Sequence, residues 1–326
     1  MKRVSIAIPA YNEGANIDRI YTLLNDLFSG RLAHYELEII FSDNSSTDDT
    51  FARIEQISRR DSRVRGISLS RNFGFQINVL SALRQASGDC VIQLDADGED
   101  PPEQLAEFLA RWEEGFHVVY GIRESRQESP WLTWQRKIFY RVIRMLSSVD
   151  IPVDAGDFRL LDRVVVDILC RQCNEHNLYI RGLVSYIGFR QIGVPYRRQA
   201  RVLGASKFSY WNYFGLAWDA LTSFSRAPLR AVSLLGMTVS LISMVGFAAY
   251  FVGYALGWSP IQGFTTIILC LFMFGGAQLF ALGIIGEYIA RIFDEVKNRP
   301  RGIIARHCGF AKTPEDFDHL KSRVVE

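Results

Sequence analysis

Charge of either sign is missing from two long stretches near the C-terminus. No Asp, Glu, Lys or Arg occurs from Ala231 to Leu256, and none from Ser259 to Gly286. The first stretch, as a helix rising about 1.5 Å per residue, extends roughly 39 Å, enough to cross a hydrocarbon core of about 30 Å with some tilt. Phe264–Gly286 is long enough for a second span. The competing reading is a hydrophobic hairpin buried in a soluble core, but uncharged runs of this length are rare there. Net charge is nearly absent too: 37 Lys and Arg against 35 Asp and Glu leave +2, so no basic field points to a nucleic acid. Cysteine is scarce. Of the five, Cys170 and Cys173 make the one C-x-x-C. No further ligands stand at zinc spacing, so the pair reads as small residues on a helix in a reducing compartment. There is no internal repeat and no low-complexity tract. The N-terminus opens directly into a strand pattern, so no signal peptide is expected.

Basic residues flank the uncharged runs. Arg226 and Arg230 precede the first; Arg291, Lys297, Arg299, Arg301 and Arg306 follow the second. The intervening loop, about 257–263, has no Lys or Arg. The positive-inside rule then puts both ends in the cytoplasm. The expected organisation is a cytoplasmic domain over 1–225, a two-helix membrane hairpin over 229–291, and a polar cytoplasmic tail over 292–326 with little to fix its fold. Two further segments, 131–148 and 210–224, are aromatic and amphipathic, the first also strongly basic. They read as helices lying in the membrane interface or packing on the domain.

Within 1–225, short apolar runs alternate with helical patterns. Val4–Ile8, Leu37–Phe41, Val64–Leu69, Cys90–Leu94 and Val118–Tyr120 read as strands. Asn16–Phe28, Asp48–Arg59, Phe75–Ala86 and Pro102–Trp112 read as the helices between them. This rhythm predicts an α/β domain with a mostly parallel sheet and helices on both faces. Ligands bind such sheets beyond the carboxyl ends of the strands, so the residues that follow each strand carry the chemistry.

Three polar clusters follow strands. The first is Pro9-Ala10-Tyr11-Asn12-Glu13, the second Asp43-Asn44-Ser45-Ser46-Thr47-Asp48, and the third Asp95-Ala96-Asp97. All three should meet at one sheet edge. A D-x-D pair suits Mg²⁺ or Mn²⁺, which takes one or two carboxylates and completes its shell with phosphate oxygens and water. Asp43 suits a base or ribose as an acceptor, and Tyr11 suits stacking on a base. The same Tyr11-Asn12-Glu13 also fits a helix N-terminus with an acid near the dipole. A basic constellation, Arg198, Arg201, Ser206 and Lys207 around Gly204, fits a phosphate site; a solvated basic loop is the alternative. Asp157, in Asp154-Ala155-Gly156-Asp157-Phe158-Arg159, reads as an acid in a glycine-containing turn, placed to orient an acceptor or act as base.

Taken together these segments resemble the polyisoprenyl-phosphate glycosyltransferases of the inverting family-2 glycosyltransferases, most of all the bacterial bactoprenol glucosyltransferases. The resemblance runs from Val4 to about Pro300. It rests on Ile8-Pro9-Ala10-Tyr11-Asn12-Glu13, Arg71-Asn72-Phe73-Gly74, Asp95-Ala96-Asp97 with Asp100-Pro101-Pro102-Glu103, Gly156-Asp157-Phe158-Arg159-Leu160, Gly204-Ala205-Ser206-Lys207 and Gly286-Glu287-Tyr288. It implies a GT-A, Rossmann-like fold and a nucleotide pocket using Pro9, Tyr11, Glu13, Asp43 and Asp95. It implies a Mg²⁺ or Mn²⁺ held by Asp95 and Asp97, and phosphate contacts from Arg198, Arg201, Ser206 and Lys207. It sets Asp157 and Asp97 at the reaction centre, and implies a homo-oligomer in the bacterial inner membrane. The expected reaction moves a hexose, UDP-glucose being the first candidate donor, onto polyprenyl phosphate with inversion. Two departures touch the donor end. Gly98-Glu99 stands where such proteins usually carry Leu-Gln, and Asp43-Asn44 where they usually carry two acids. The rivals are a GDP-mannose-dependent polyprenyl-phosphate mannosyltransferase, a processive polysaccharide synthase and a non-enzymatic binder. A processive synthase needs Q-x-x-R-W, which the sequence lacks.

Overall fold

The protein is described here from a computed structural model, over residues 1–123, 155–173, 175, 178–198, 227–256, 264–297 and 299–310. The predicted segments 131–148 and 210–224, and the site candidates Arg201, Ser206 and Lys207, lie outside the described residues.

The chain begins with β1 (Arg3–Ala10), α1 (Gly14–Ser29), β2 (Glu36–Asp43), α2 (Thr50–Arg60), β3 (Val64–Leu69), α3 (Phe75–Gln85) and β4 (Cys90–Gln93). A short 3₁₀ turn (Pro102–Gln104) leads into α4 (Leu105–Glu113) and β5 (Val118–Arg123). Then come β6 (Ala155–Asp162), α5 (Arg163–Arg171), α6 (Ile180–Ile187) and β7 (Gln191–Tyr196). Two long helices, α7 (Ala227–Ala255) and α8 (Phe264–Lys297), precede a final strand, β8 (Ile304–Cys308).

The strands form one sheet in the order β7-β5-β6-β4-β1-β2-β3-β8. β1 pairs in parallel with β2 and β4, β2 with β3, and β5 with β7. β6 runs antiparallel to β4 and β5, and β8 antiparallel to β3. The expected mostly parallel α/β sheet is therefore present, with two strands reversed. Val4 to Ala10 of β1 are all buried, as expected of a central strand covered on both faces. Along α1, Ile17, Ile20, Leu24 and Phe28 repeat at helical spacing and join the core beneath one face, with Ile54 and Ile57 of α2 and Phe108 of α4. On the opposite face Ser42 of β2 hydrogen-bonds Asn78 of α3.

Three segments differ from the sequence reading. Residues 155–159, part of the segment from Asp154 to Arg159 expected as a turn, open β6 instead, because Phe158, Leu160 and Leu161 find buried places between β4 and β5. The run at Val118 extends to Arg123. The tail does not lack a fold near its start: β8 adds an edge to the sheet, with Ile304 1% exposed. Arg301 ties the same segment down by donating to the carbonyls of Cys173 and Glu175.

α7 and α8 belong to a separate compact unit from the sheet. Their apolar side chains lie open: Met237 is 71% exposed and Leu279 72%. One helix among the described residues is long and apolar enough to cross a membrane, over Phe274–Lys297. In α7 the comparable apolar stretch is the shorter Val232–Gly246, so a second span is not shown.

Candidate active site

The topology gathers the chemistry at one edge. β1, β2, β4, β5 and β7 all point their C-terminal ends the same way, and the reversed β6 brings its N-terminal end there. The three clusters expected to converge do so: Ala10 pairs with Asp43, and Leu94 donates its N–H to the Ala7 carbonyl.

The loops after β1 and β2 are knitted together. Asn12 and Ser45 take left-handed backbone, φ 56° and 61°, an uncommon conformation that Asn tolerates best. The Asn12 N–H donates to Ser46 Oγ at 2.8 Å, and Asn12 Oδ1 accepts from the Thr47 N–H at 2.9 Å. Gly14 N–H donates to Asp48 at 3.1 Å; a Cβ on Gly14 would strike the Asp49 carboxylate. Asp43 is fully buried, and its two oxygens accept from the Ser46 N–H and the Ser68 hydroxyl. These two contacts tie Asp43 to the loop after β2 and to β3. Pro9 lies within β1 opposite Ser42. Tyr11 is 41% exposed, as a stacking surface must be, and Glu13 sits at the α1 N-terminus, accepting from Asn16.

Beyond β4 lies a crowd of carboxylates. Asp95 Oδ1 is buried with no hydrogen-bond partner. Burial first, then the charges of Asp157, Asp100 and Asp97, push Asp95 well above the ordinary carboxylate range. Asp97 is 8% exposed and accepts the Glu99 N–H at 3.0 Å. Gln93 pairs with Arg159; continuing that antiparallel register by two residues sets Asp157 across from Asp95.

Asp157 is held between two arginines. Arg181, at the start of α6, grips both its oxygens, through Nε at 2.9 Å and Nη2 at 2.5 Å. Arg159, buried on the same strand, donates to Oδ1 at 3.0 Å. Burial pushes the Asp157 carboxyl up, but the Arg181 hydrogen bonds and charge, with Arg159 and Arg123, outweigh it and leave the group below its ordinary range. A carboxylate fixed in this way is a poor proton acceptor.

Arg198, just past β7, meets Glu99 directly, and its Nε lies 3.8 Å from Asp100. Asp100 also takes the Tyr196 hydroxyl at 2.5 Å, and Arg123 donates to that same hydroxyl at 3.3 Å. Burial, then Asp100, raises the Tyr196 phenol, so it stays the donor. The structure thus joins Asp95, Asp97, Asp157 and Arg198 in one place. It adds Arg181, Arg123 and Tyr196, which sequence reasoning did not single out. Arg159 was legible as a partner of Asp157 once β6 is read as a strand, since residues two apart share a face. Arg181, 24 residues from Asp157, has no local signal.

The residues fit a hard divalent ion. The donors are carboxylate oxygens, one of them buried and unpartnered, with Asp157, Asp100 and Asp97 crowded around Asp95. Among the described residues no group of three or more His, Cys, Asp or Glu is placed to hold an ion unaided, so a ligand would have to complete the shell.

The family description "Glycosyl transferase family 2" matches residues 5–169. An uncharacterized glycosyltransferase, YkcC of Bacillus subtilis, is 38% identical over 94% of each chain. The SfII prophage-derived bactoprenol glucosyl transferase of Shigella flexneri is 34% identical over 93% of this chain and 98% of its own. Among solved structures, the mannosyltransferase PcManGT of Pyrobaculum calidifontis, in complex with GDP-Man and Mn²⁺, is 17% identical with a TM-score of 0.46, over 91% of this chain and 87% of that one. The chain is an enzyme of glycosyltransferase family 2.

Proposed function

We propose that the enzyme transfers a hexose from a nucleotide diphosphate sugar, UDP-glucose first among candidates, to the phosphate of a polyprenyl lipid of the bactoprenol type. The observation that carries this reading is the buried, unpartnered carboxylate oxygen of Asp95 in a cluster with Asp97, Asp100 and Asp157, with Arg198 at its edge. Such a cluster suits a cation and diphosphate together. The near-full-length likeness to bactoprenol glucosyl transferases and the open apolar helices support the lipid acceptor.

Asp95 and Asp97 would hold Mg²⁺ or Mn²⁺, which supplies charge stabilisation for a departing diphosphate. Tyr11, Asp43 and the Pro9–Glu13 turn receive the base and ribose. Arg198 lies on the diphosphate side; Arg201, Ser206 and Lys207 are assigned phosphate contacts on the resemblance alone. The acceptor phosphate has a second pKa of about 6 and is largely dianionic near neutrality, so it attacks without a base. Asp157 accordingly stays ionised and orients Arg181 and Arg159, which offset repulsion between two anionic substrates. Single displacement inverts the anomeric carbon. The protein sits in the bacterial inner membrane through two spans, with the sheet domain cytoplasmic. The homo-oligomer rests on the resemblance alone.

The test is incorporation of labelled sugar into organic-extractable lipid by purified protein, undecaprenyl phosphate, Mg²⁺ and a panel of UDP- and GDP-sugars. Transfer from one donor, abolished by chelator and by Asp97→Ala, is expected. Transfer from GDP-mannose alone would replace the donor. No transfer from any donor by a folded protein would overturn the reading.

A further inference from the structure

The turn after Asp97 holds an ion pair that the reaction itself does not require. Gly98 takes φ +73°, and the Glu99 N–H closes back on Asp97 at 3.0 Å. This fixes Glu99 on the same turn as the two metal-ligand candidates. Its carboxylate meets the Arg198 guanidinium directly. The Glu99 side chain is 14% exposed and the Arg198 side chain 36%. Asp100, the other carboxylate near Arg198, is 1% exposed and already accepts the Tyr196 hydroxyl. Arg198 is therefore seated chiefly on Glu99, at the edge where a diphosphate has to arrive.

A guanidinium fork matches carboxylate and phosphate in much the same geometry, so the two compete for it. The Arg198 guanidinium is open at this edge, but the Glu99 carboxylate against it is largely buried and costly to leave unpaired, so the two hold each other as charge and counter-ion when no donor is bound. We propose that Glu99 is that counter-ion: it occupies Arg198 in the empty enzyme, yields it to the donor's diphosphate, and recaptures it as the nucleoside diphosphate leaves. Glu99 thereby lowers affinity for donor and product alike, and hastens product release. It is a positioning residue acting through Arg198. The proposal rests on the reading of Arg198 as a diphosphate ligand.

The test is UDP binding by calorimetry, in detergent with Mg²⁺ present, for the full-length wild type, Glu99→Gln, Glu99→Asp, Arg198→Ala and the double variant Glu99→Gln with Arg198→Ala. Melting temperatures establish that each is folded. Glu99→Gln keeps the side chain's shape and removes its charge. It should tighten UDP by about three- to tenfold, the scale of a partly exposed charge contact, and lower KM for the sugar donor in parallel. Glu99→Asp should stay within about twofold of wild type, because the carboxylate remains. Arg198→Ala should weaken UDP, and in that background Glu99→Gln should change nothing. Tightening that persists without Arg198 would mean simple repulsion and would overturn the exchange. Unchanged or weaker UDP binding by Glu99→Gln, with Arg198→Ala still weakened, would overturn the role of Glu99 and leave the diphosphate reading standing. UDP binding that is indifferent to Arg198 would overturn both.

Discussion

Asp157 shows how a single residue's role is set by what surrounds it. Its sequence context admits either a base or an orienting group. The bidentate grip of Arg181 and the buried Arg159 support the proposed orienting role. Arg181→Lys keeps the charge and removes the planar fork, which is not a conservative change at a bidentate site. One of the two hydrogen bonds to Asp157 should be lost, and with it the orientation of the acceptor. The lipid-transfer rate is expected to fall by about tenfold or more, equivalent to ~1.4 kcal/mol of transition-state stabilisation. UDP affinity should hardly change. Equal losses in UDP binding and rate would place Arg181 on the donor instead.

At the scale of elements, the packing of α1 against α2 offers a pH-dependent contact far from the site. Asp61, just past α2, accepts from Arg63 at 2.7 Å and from the Tyr21 hydroxyl of α1 at 3.0 Å. The Arg63 hydrogen bond is the chief cause that lowers its carboxyl to about 2. A depressed folded-state pKa contributes stability above the ordinary carboxylate value, and that stability is lost as pH falls from about 4 to about 2. Arg63 is 40% exposed, so screening holds the contribution to about 1–2 kcal/mol. Asp61→Asn should be destabilised by that amount near neutral pH in chemical denaturation, with the gap to wild type closing near pH 2. A gap that persists in acid would show packing rather than charge at work. Elements themselves were unevenly legible. β1 to β4 could be read because parallel strands buried on both faces give unbroken apolar runs. β6, β7 and β8 could not. Ala155-Gly156-Asp157 opens β6 like a turn. β7 carries Gly193 and Pro195, which an edge strand tolerates. β8, at the other edge, buries Ile304 alone and leaves Ala305 and Arg306 exposed, so it gives no apolar run. The same limit applied to the site: the strand-end carboxylates and Arg198 were visible, and Arg159 follows once β6 is a strand, but Arg181, Arg123 and Tyr196 come from elements distant in sequence from the carboxylates they serve.

For the whole molecule, β8 constrains the membrane topology. It pairs with β3 in the sheet that also contains β1, so residues 198 and 304 share one side of any membrane. The chain between them must cross an even number of times. α8 alone would place β8 on the wrong side, so if α8 spans, a second crossing is needed. α7, with Leu234, Met237 and Ile242 open on its surface, is the segment suited to make it. We therefore expect two crossings, with the 257–263 loop outside. In a background lacking the five native cysteines, Ser259→Cys should react with an impermeant maleimide in intact spheroplasts. Arg299→Cys should react only after permeabilisation. Reaction at neither site in intact spheroplasts would mean that both helices lie on the inner surface. Reaction at Arg299→Cys in intact spheroplasts would mean that β8 cannot join the sheet while α8 spans, and the parity argument would fail with it.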